Sequence, residues 1–130
     1  MTEPRKLLIV DDEPNILTAL EFLFRRSGYD VRLARDGGEA LREVDAWRPD
    51  AMLLDIMMPV KNGYEVCQAV RERPELGAVK IVMLSAKGGE AEISKGLSLG
   101  ADRYVTKPFS TQELLATVDG LLRAGEPAGR

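Results

Sequence analysis

The 130-residue chain has no histidine and a single cysteine, Cys67. Without histidine, Ser-His-Asp catalysis, histidine-ligated metals and imidazole general bases are excluded. One cysteine excludes an internal disulfide framework. With no histidine to activate it, the Cys67 thiol reads as a small helical core group rather than a nucleophile. Long apolar runs are also missing. No segment approaches the roughly 20 apolar residues of a membrane span. The first six residues lead into only four apolar ones before two aspartates, too short for a signal peptide. The expected location is cytoplasmic. An excess of positive charge is absent too: 18 Lys and Arg stand against 21 Asp and Glu, a net charge of -3. That sets aside a basic nucleic-acid-binding module as the main identity. What remains is 45% apolar and 30% charged residues, an ordinary globular balance. The length suits one domain that buries roughly two-thirds of its unfolded surface.

The apolar residues are arranged in alternating patterns. Leu7-Leu8-Ile9-Val10 and Ala51-Met52-Leu53-Leu54 are short continuous runs, the mark of strands buried on both faces, and Val79 to Leu84 reads as a third buried strand. Tyr29 to Ala34 alternates Val31 and Leu33 with Asp30 and Arg32 and predicts a half-exposed edge strand. Tyr104-Val105 is a short fifth strand. Between them lie helical spacings. Pro14 sits at a first helical position ahead of Ile16, Leu17, Leu20, Leu23 and Phe24, and Ser27-Gly28 ends that helix. Asp36 caps a helix with Ala40, Leu41, Val44 and Trp47 inward, broken by Pro49. Ile56 to Gly63 is a loop with a turn at Asn62-Gly63, followed by a helix over Tyr64 to Glu72 and a break at Pro74. Lys87-Gly88-Gly89 opens a helix running to Leu99, weakened by Gly96 and capped by Gly100. Ser110 with Glu113 forms a capping box for a last helix carrying Leu114, Leu115, Val118, Leu121 and Leu122. Strand and helix alternate five times. This predicts an α/β fold, a doubly wound five-stranded parallel sheet of order 2-1-3-4-5 with helices on both faces. The first, third and fourth strands form its centre. The domain is expected over residues 1–124, with 125–130 a tail or linker stub.

In such sheets ligands bind beyond the carboxyl ends of the strands. Four strand ends carry chemistry there: Asp11 and Asp12, Asp55, Ser85 and Lys107. Three converging carboxylates repel one another unless a cation joins them. Oxygen ligands without His or Cys select Mg2+-like ions, which in turn imply phosphate. A lysine and a hydroxyl opposite can hold phosphoryl oxygens. A carboxylate can itself accept the phosphoryl group. Asp55 is the best candidate, because it stands alone while Asp11 and Asp12 share the metal. Each residue singly has a plainer reading: Asp11-Asp12-Glu13-Pro14 as a helix cap, Ser85 as a cap, Lys107 as a surface lysine, Tyr104 as a half-buried ring. Their joint occurrence on one rim is what favours a site.

At this point the chain resembles the receiver domain of two-component response regulators, over about Lys6 to Leu122. The motifs are Leu-Leu-Ile-Val-Asp-Asp-Glu from Leu7, Leu-Leu-Asp-Ile-Met-Met-Pro from Leu53, Met-Leu-Ser-Ala from Met83, and Gly-Ala-Asp-Arg-Tyr-Val-Thr-Lys-Pro-Phe from Gly100. The resemblance implies that Asp55 is the phosphoacceptor. It implies that Asp11 and Asp12 hold Mg2+, with Asp55 and the backbone carbonyl of Met57 as further ligands. It makes Ser85 the hydroxyl and Lys107 the ammonium that bind phosphoryl oxygens, with a cis Lys107-Pro108 bond. Tyr104 becomes the switch aromatic, turning inward when Ser85 moves toward phosphate, and Gly63 the turn glycine after Asp55.

The function implied is that of a signalling phosphoacceptor rather than an enzyme with a separate substrate. It takes a phosphoryl group from a histidine kinase, a phosphotransfer protein or a small phosphodonor, through positioning and electrostatics. The added charge biases a surface around the fourth helix, fifth strand and last helix, carrying Lys95, Arg103, Tyr104 and Asp119, where a downstream effector docks. Met57 and Lys87, two residues past Asp55 and Ser85, flank the path of an attacking water, and their bulk is expected to slow hydrolysis. The chain departs from the winged-helix transcription-factor branch, which dimerises through an acidic-basic network. Arg103 stands where that branch has an acid, and Thr117 and Asp119 where it has bases, which leaves a charge-swapped Arg103-Asp119 pair. A monomer or a weak phosphorylation-dependent homodimer is expected, with no nucleic acid or membrane bound by these residues. Alternatives are a phosphorylation-independent pseudo-receiver and a receiver excised from a larger DNA-binding regulator. A flavodoxin-like cofactor binder is disfavoured because Asp11-Asp12 would repel a flavin phosphate. An aspartyl-phosphate phosphatase is disfavoured because Asp11-Asp12-Glu13 lacks that class's threonine-containing pattern.

Overall fold

The structure is a computed structural model and describes residues 4–124; the expected tail at 125–130 lies outside them. Its elements run β1 (Lys6–Val10), α1 (Pro14–Arg26), β2 (Asp30–Ala34), α2 (Gly37–Trp47), β3 (Ala51–Asp55), α3 (Gly63–Arg71), a 3-10 turn (Pro74–Leu76), β4 (Lys80–Ser85), α4 (Glu90–Ser98), β5 (Arg103–Thr106) and α5 (Thr111–Ala124). The five strands are parallel in the order β2-β1-β3-β4-β5, as expected. Among the described residues no helix is long and apolar enough to cross a membrane.

The continuous apolar runs serve two cores at once. Successive strand residues point to opposite faces. Leu8, Val10, Met52, Leu54, Ile81 and Met83 therefore pack with Ala40, Val44, Val66, Cys67 and Val70 on one side. Leu7, Ile9, Leu53, Val82 and Leu84 pack with Leu17, Leu20, Phe24, Leu114 and Val118 on the other. Each large aliphatic side chain so buried contributes roughly 1.5–3 kcal/mol, which makes the central strands the rigid part of the scaffold. Cys67 is fully buried in the first cluster, and burial pushes its thiol up to about 11. A thiolate is thus disfavoured there, in line with a core role.

The caps follow the chain's polar residues, with three differences from expectation. Asp36 accepts from the Glu39 N–H at 2.8 Å, as predicted. Asn62 is not a turn residue but the N-cap of α3: it and Glu65 form a reciprocal capping box, a pattern of Asn and Glu three apart that was legible. Pro74 does not merely break the chain but opens the 3-10 turn, since its fixed φ suits a first helical position. The helix expected from Lys87 starts at Glu90, leaving residues 86–89 as a loop; two consecutive glycines do not hold a helical turn. Gly96, though costly in a helix interior, has a packing reason. A Cβ there would lie 2.7 Å from Met83 Sδ and 3.1 Å from the Tyr104 ring. Its absence lets α4 lie directly on the sheet's last two strands.

Candidate functional site

Each chemistry-bearing residue is delivered by the end of a strand. The Asp11 N–H donates to Ala34 O at 3.1 Å, extending the β1–β2 ladder by one residue. Asp55 and Ser85 are the last residues of β3 and β4. The Lys107 N–H donates to Ser85 O at 2.7 Å, which holds the lysine beside the β4 end. Sheet registry alone therefore brings residues up to 96 positions apart onto one rim. Gly63 permits the loop after Asp55 to close tightly. Its N–H donates to Ile56 O at 2.8 Å, and a Cβ on it would meet Asp55 O at 2.5 Å. It is the first residue of α3 rather than part of a free turn.

The rim is charged, with a buried inner part and with Asp12 and Glu13 exposed at its edge. Asp11 and Ser85 are 0% exposed and Asp55 4%. Carboxylate oxygens of Asp11, Asp12 and Asp55 all lie within 4.8 Å of one another. The Lys107 ammonium donates to Asp11 Oδ2 at 3.1 Å, to Asp55 Oδ1 at 3.3 Å and to Glu13 Oε1 at 3.4 Å. Asp11 uses its other oxygen to accept from the Glu13 N–H at 2.9 Å. Burial, followed by repulsion from Asp11, raises the Asp55 carboxyl from its ordinary 3.8 to about 6, with Lys107 pulling the other way. For Lys107 burial works against the charge, but the hydrogen bond to Asp11 and the charges of Asp55 and Asp11 outweigh it and raise its pKa. One lysine cannot neutralise three carboxylates, so the cluster carries surplus negative charge in a low-dielectric position. An oxygen-only donor set of this kind fits a hard divalent cation such as Mg2+.

Around this centre lie the remaining expected residues. The Ser85 hydroxyl accepts from the Lys87 N–H at 3.0 Å. Met57, 57% exposed, and Lys87 line one cleft beside Ser85, together with Tyr64 and Glu92. Tyr104 is half-buried, and its hydroxyl donates to Lys87 O at 2.6 Å, linking β5 to the loop after Ser85. The Lys107-Pro108 bond is cis. Lys95 and Arg103 are exposed, the Lys95 ammonium lying 4.4 Å from the centre of the Tyr64 ring and Arg103 preceding Tyr104 in β5. Asp119 is a correction to the expected face. Its carboxylate accepts from the Tyr29 hydroxyl, in a recess shared with Arg5, Leu122 and Arg123. It sits on the side of α5 turned away from Arg103, because the 3.6-residue period carries position 119 round toward the chain entering β2. Arg103 instead donates to Asp102 O. Within one chain Arg103 and Asp119 thus take different partners. Glu13 is a site residue that the sequence pattern presents only as part of a helix cap. Its carboxylate makes no capping hydrogen bond and reaches Lys107 instead. Its place directly after the acidic pair was the available signal.

A family model described as the response regulator receiver domain matches residues 7–119. Solved structures of similar chains agree in fold. A response regulator described as putative, from Chloroflexus aurantiacus J-10-fl, is 39% identical, with 92% of this chain and 98% of that one covered and a TM-score of 0.87. The receiver domain of the Francisella response regulator 1452 is 31% identical, covering 94% and 99%, with a TM-score of 0.88. The BeF3-activated N-terminal receiver domain of Klebsiella pneumoniae RstA is 28% identical, covering 92% and 99%, with a TM-score of 0.85.

Proposed function

This chain belongs to the response regulator receiver domain family, and from that premise we propose that it is a phosphoacceptor whose acceptor residue is Asp55. One observation carries the reading: a buried aspartate at the end of a central strand, clustered with Asp11 and Asp12 and held on the ammonium of Lys107. Asp11, Asp12, Asp55 and the Met57 carbonyl would hold Mg2+. When bound, that ion supplies charge neutralisation for the phosphoryl oxygens and for the acid cluster. Asp55 offers a carboxylate oxygen to phosphorus as the donor's bond to phosphorus breaks. Lys107 and the Ser85 hydroxyl take phosphoryl oxygens, so the chain contributes position and electrostatics rather than covalent machinery of its own. These residues contain no histidine, so the phosphohistidine, or small phosphodonor, lies outside them.

Phosphorylation draws Ser85 toward the phosphoryl group, and the Ser85–Lys87–Tyr104 hydrogen-bond chain transmits that movement to β5. The effector then reads the α4–β5–α5 face, with Lys95, Arg103 and Tyr104 on it and the β5–α5 groove lined by Val105, Phe109 and Thr117 beside it. Met57 and Lys87 shield the acyl phosphate from water, so Met57→Asn or Lys87→Ala shortens its lifetime. The deciding experiment is intact mass after incubation with acetyl phosphate and Mg2+. A single phosphate adduct is expected on the wild type, lost with Asp55→Asn or with chelator. A folded wild type that takes no adduct would replace this reading with phosphorylation-independent binding.

A further inference from the structure

An ammonium has three N–H donors and no more. In this structure Lys107 has three carboxylate partners, Asp11, Asp55 and Glu13, so its donors are already spoken for. A phosphoryl group delivered to Asp55 brings further oxygens to the same ammonium, and one of the three partners has to leave. Asp11 cannot leave: its side chain is 0% exposed, and its second oxygen is held by the Glu13 N–H. Asp55 is tethered to the phosphoryl group itself. Glu13 makes the longest of the three contacts, 3.4 Å, and its side chain is 61% exposed, so it regains water on release. Its negative charge is also repelled by the incoming phosphoryl oxygens.

We infer that the Glu13 carboxylate is a placeholder for the phosphoryl group, holding the third donor of Lys107 until a phosphoryl oxygen displaces it. The inference rests on Asp55 being the phosphoacceptor. It makes Glu13 a positioning residue that sets how readily Lys107 engages the phosphoryl group. It also gives the phosphorylated form a free carboxylate at the N-cap of α1. No covalent step is involved, only an exchange of one hydrogen-bond acceptor for another.

The test uses the full chain, saturating Mg2+ and beryllofluoride, a non-covalent phosphoryl mimic, titrated by calorimetry. Glu13→Gln should bind beryllofluoride about 2- to 5-fold more tightly, the range an exposed ion pair commands. An unchanged or lower affinity overturns the placeholder. The 15N shift of Lys107 Nζ supplies a readout that general charge repulsion does not move. Glu13→Gln should shift that nitrogen in the unliganded protein and leave it unchanged in the beryllofluoride complex. A shift in both states, or in neither, overturns the inference. A tighter affinity that persists at full size in Lys107→Met would assign the effect to through-space repulsion and also overturn it. If the wild type binds no beryllofluoride with Mg2+ present, the phosphoacceptor reading itself fails. If it binds and Glu13→Gln changes nothing, only the placeholder fails.

Discussion

Two cations lie among oxygen acceptors at opposite ends of the same sheet, and they are not equivalent. At the amino end Arg71 donates to Gly100 O at 2.9 Å, Leu76 O at 3.4 Å and Asp102 Oδ2 at 3.0 Å, and Asp102 also accepts from the Ile81 N–H at 2.8 Å. One guanidinium meets one carboxylate and two neutral carbonyls, so the charges cancel and every group has a partner. At the carboxyl end Lys107 meets three carboxylates, with Asp12 close by. There the charges do not cancel. The first arrangement is a strut that ties α3, the 3-10 turn and the start of β5 together. The second carries uncompensated negative charge, which is what the proposed Mg2+ and phosphoryl site rests on. Two cations with three oxygen acceptors each thus differ first in their charge sum.

The largest effect should come from breaking the strut. Arg71→Met removes the counter-charge of the Asp102 carboxylate, which keeps the Ile81 N–H, and one donor from each of the Gly100 and Leu76 carbonyls; it should cost about 2–3 kcal/mol in urea unfolding, with no recovery on adding Mg2+. A loss that Mg2+ reverses would erase the distinction between the two ends. The opposite sign is expected at the other end. Because the folded state raises Asp55 to about 6 from 3.8, it binds more protons than the unfolded chain between those values. Wild-type stability attributable to Asp55 therefore falls as pH rises from 4 through 6. Asp55→Asn removes this loss and should be about 2 kcal/mol more stable than wild type at pH 7.5, with the gap closing toward pH 4. Metal addition should sharpen the contrast further. At ten times its dissociation constant Mg2+ should stabilise the wild type by about 1.4 kcal/mol at pH 7.5, less at pH 5.5 where protons compete for Asp55, and chelator should reverse the gain. The smallest expected effect concerns strain. Val60, in the loop that follows Asp55, holds φ at +71°, a left-handed conformation costly for a β-branched residue. Val60→Gly should raise stability by about 0.5–1 kcal/mol, measurable as a shift in the urea midpoint. A loss there would mean that the added chain freedom of glycine outweighs the relief of strain.

Much of this molecule was written in local pattern. Four-residue apolar runs bounded by Asp, Ser or Lys specified strands buried on both faces, because only a sheet covered by helices on each side hides every residue of such a run. Helical spacing and caps at Asp36 and Gly100 placed the elements between them. The parallel sheet then followed from alternation, its strand order in part from the resemblance to receiver domains, and the rim residues from the strand ends. What local pattern could not decide was contact between distant polar side chains. Asp119 looks like a surface acid in sequence, yet it turns to Tyr29, ninety residues away. Glu13 looks like a cap, yet it reaches Lys107. Gly96 looks like a flaw in a helix, yet Met83 and Tyr104 fill its place. Where each strand and helix of this chain lies follows from apolar periodicity and caps within a few residues, and the sequence carries those directly. The partners of its charges depend on which side of a helix faces which strand end, and that is decided only once the sheet has assembled.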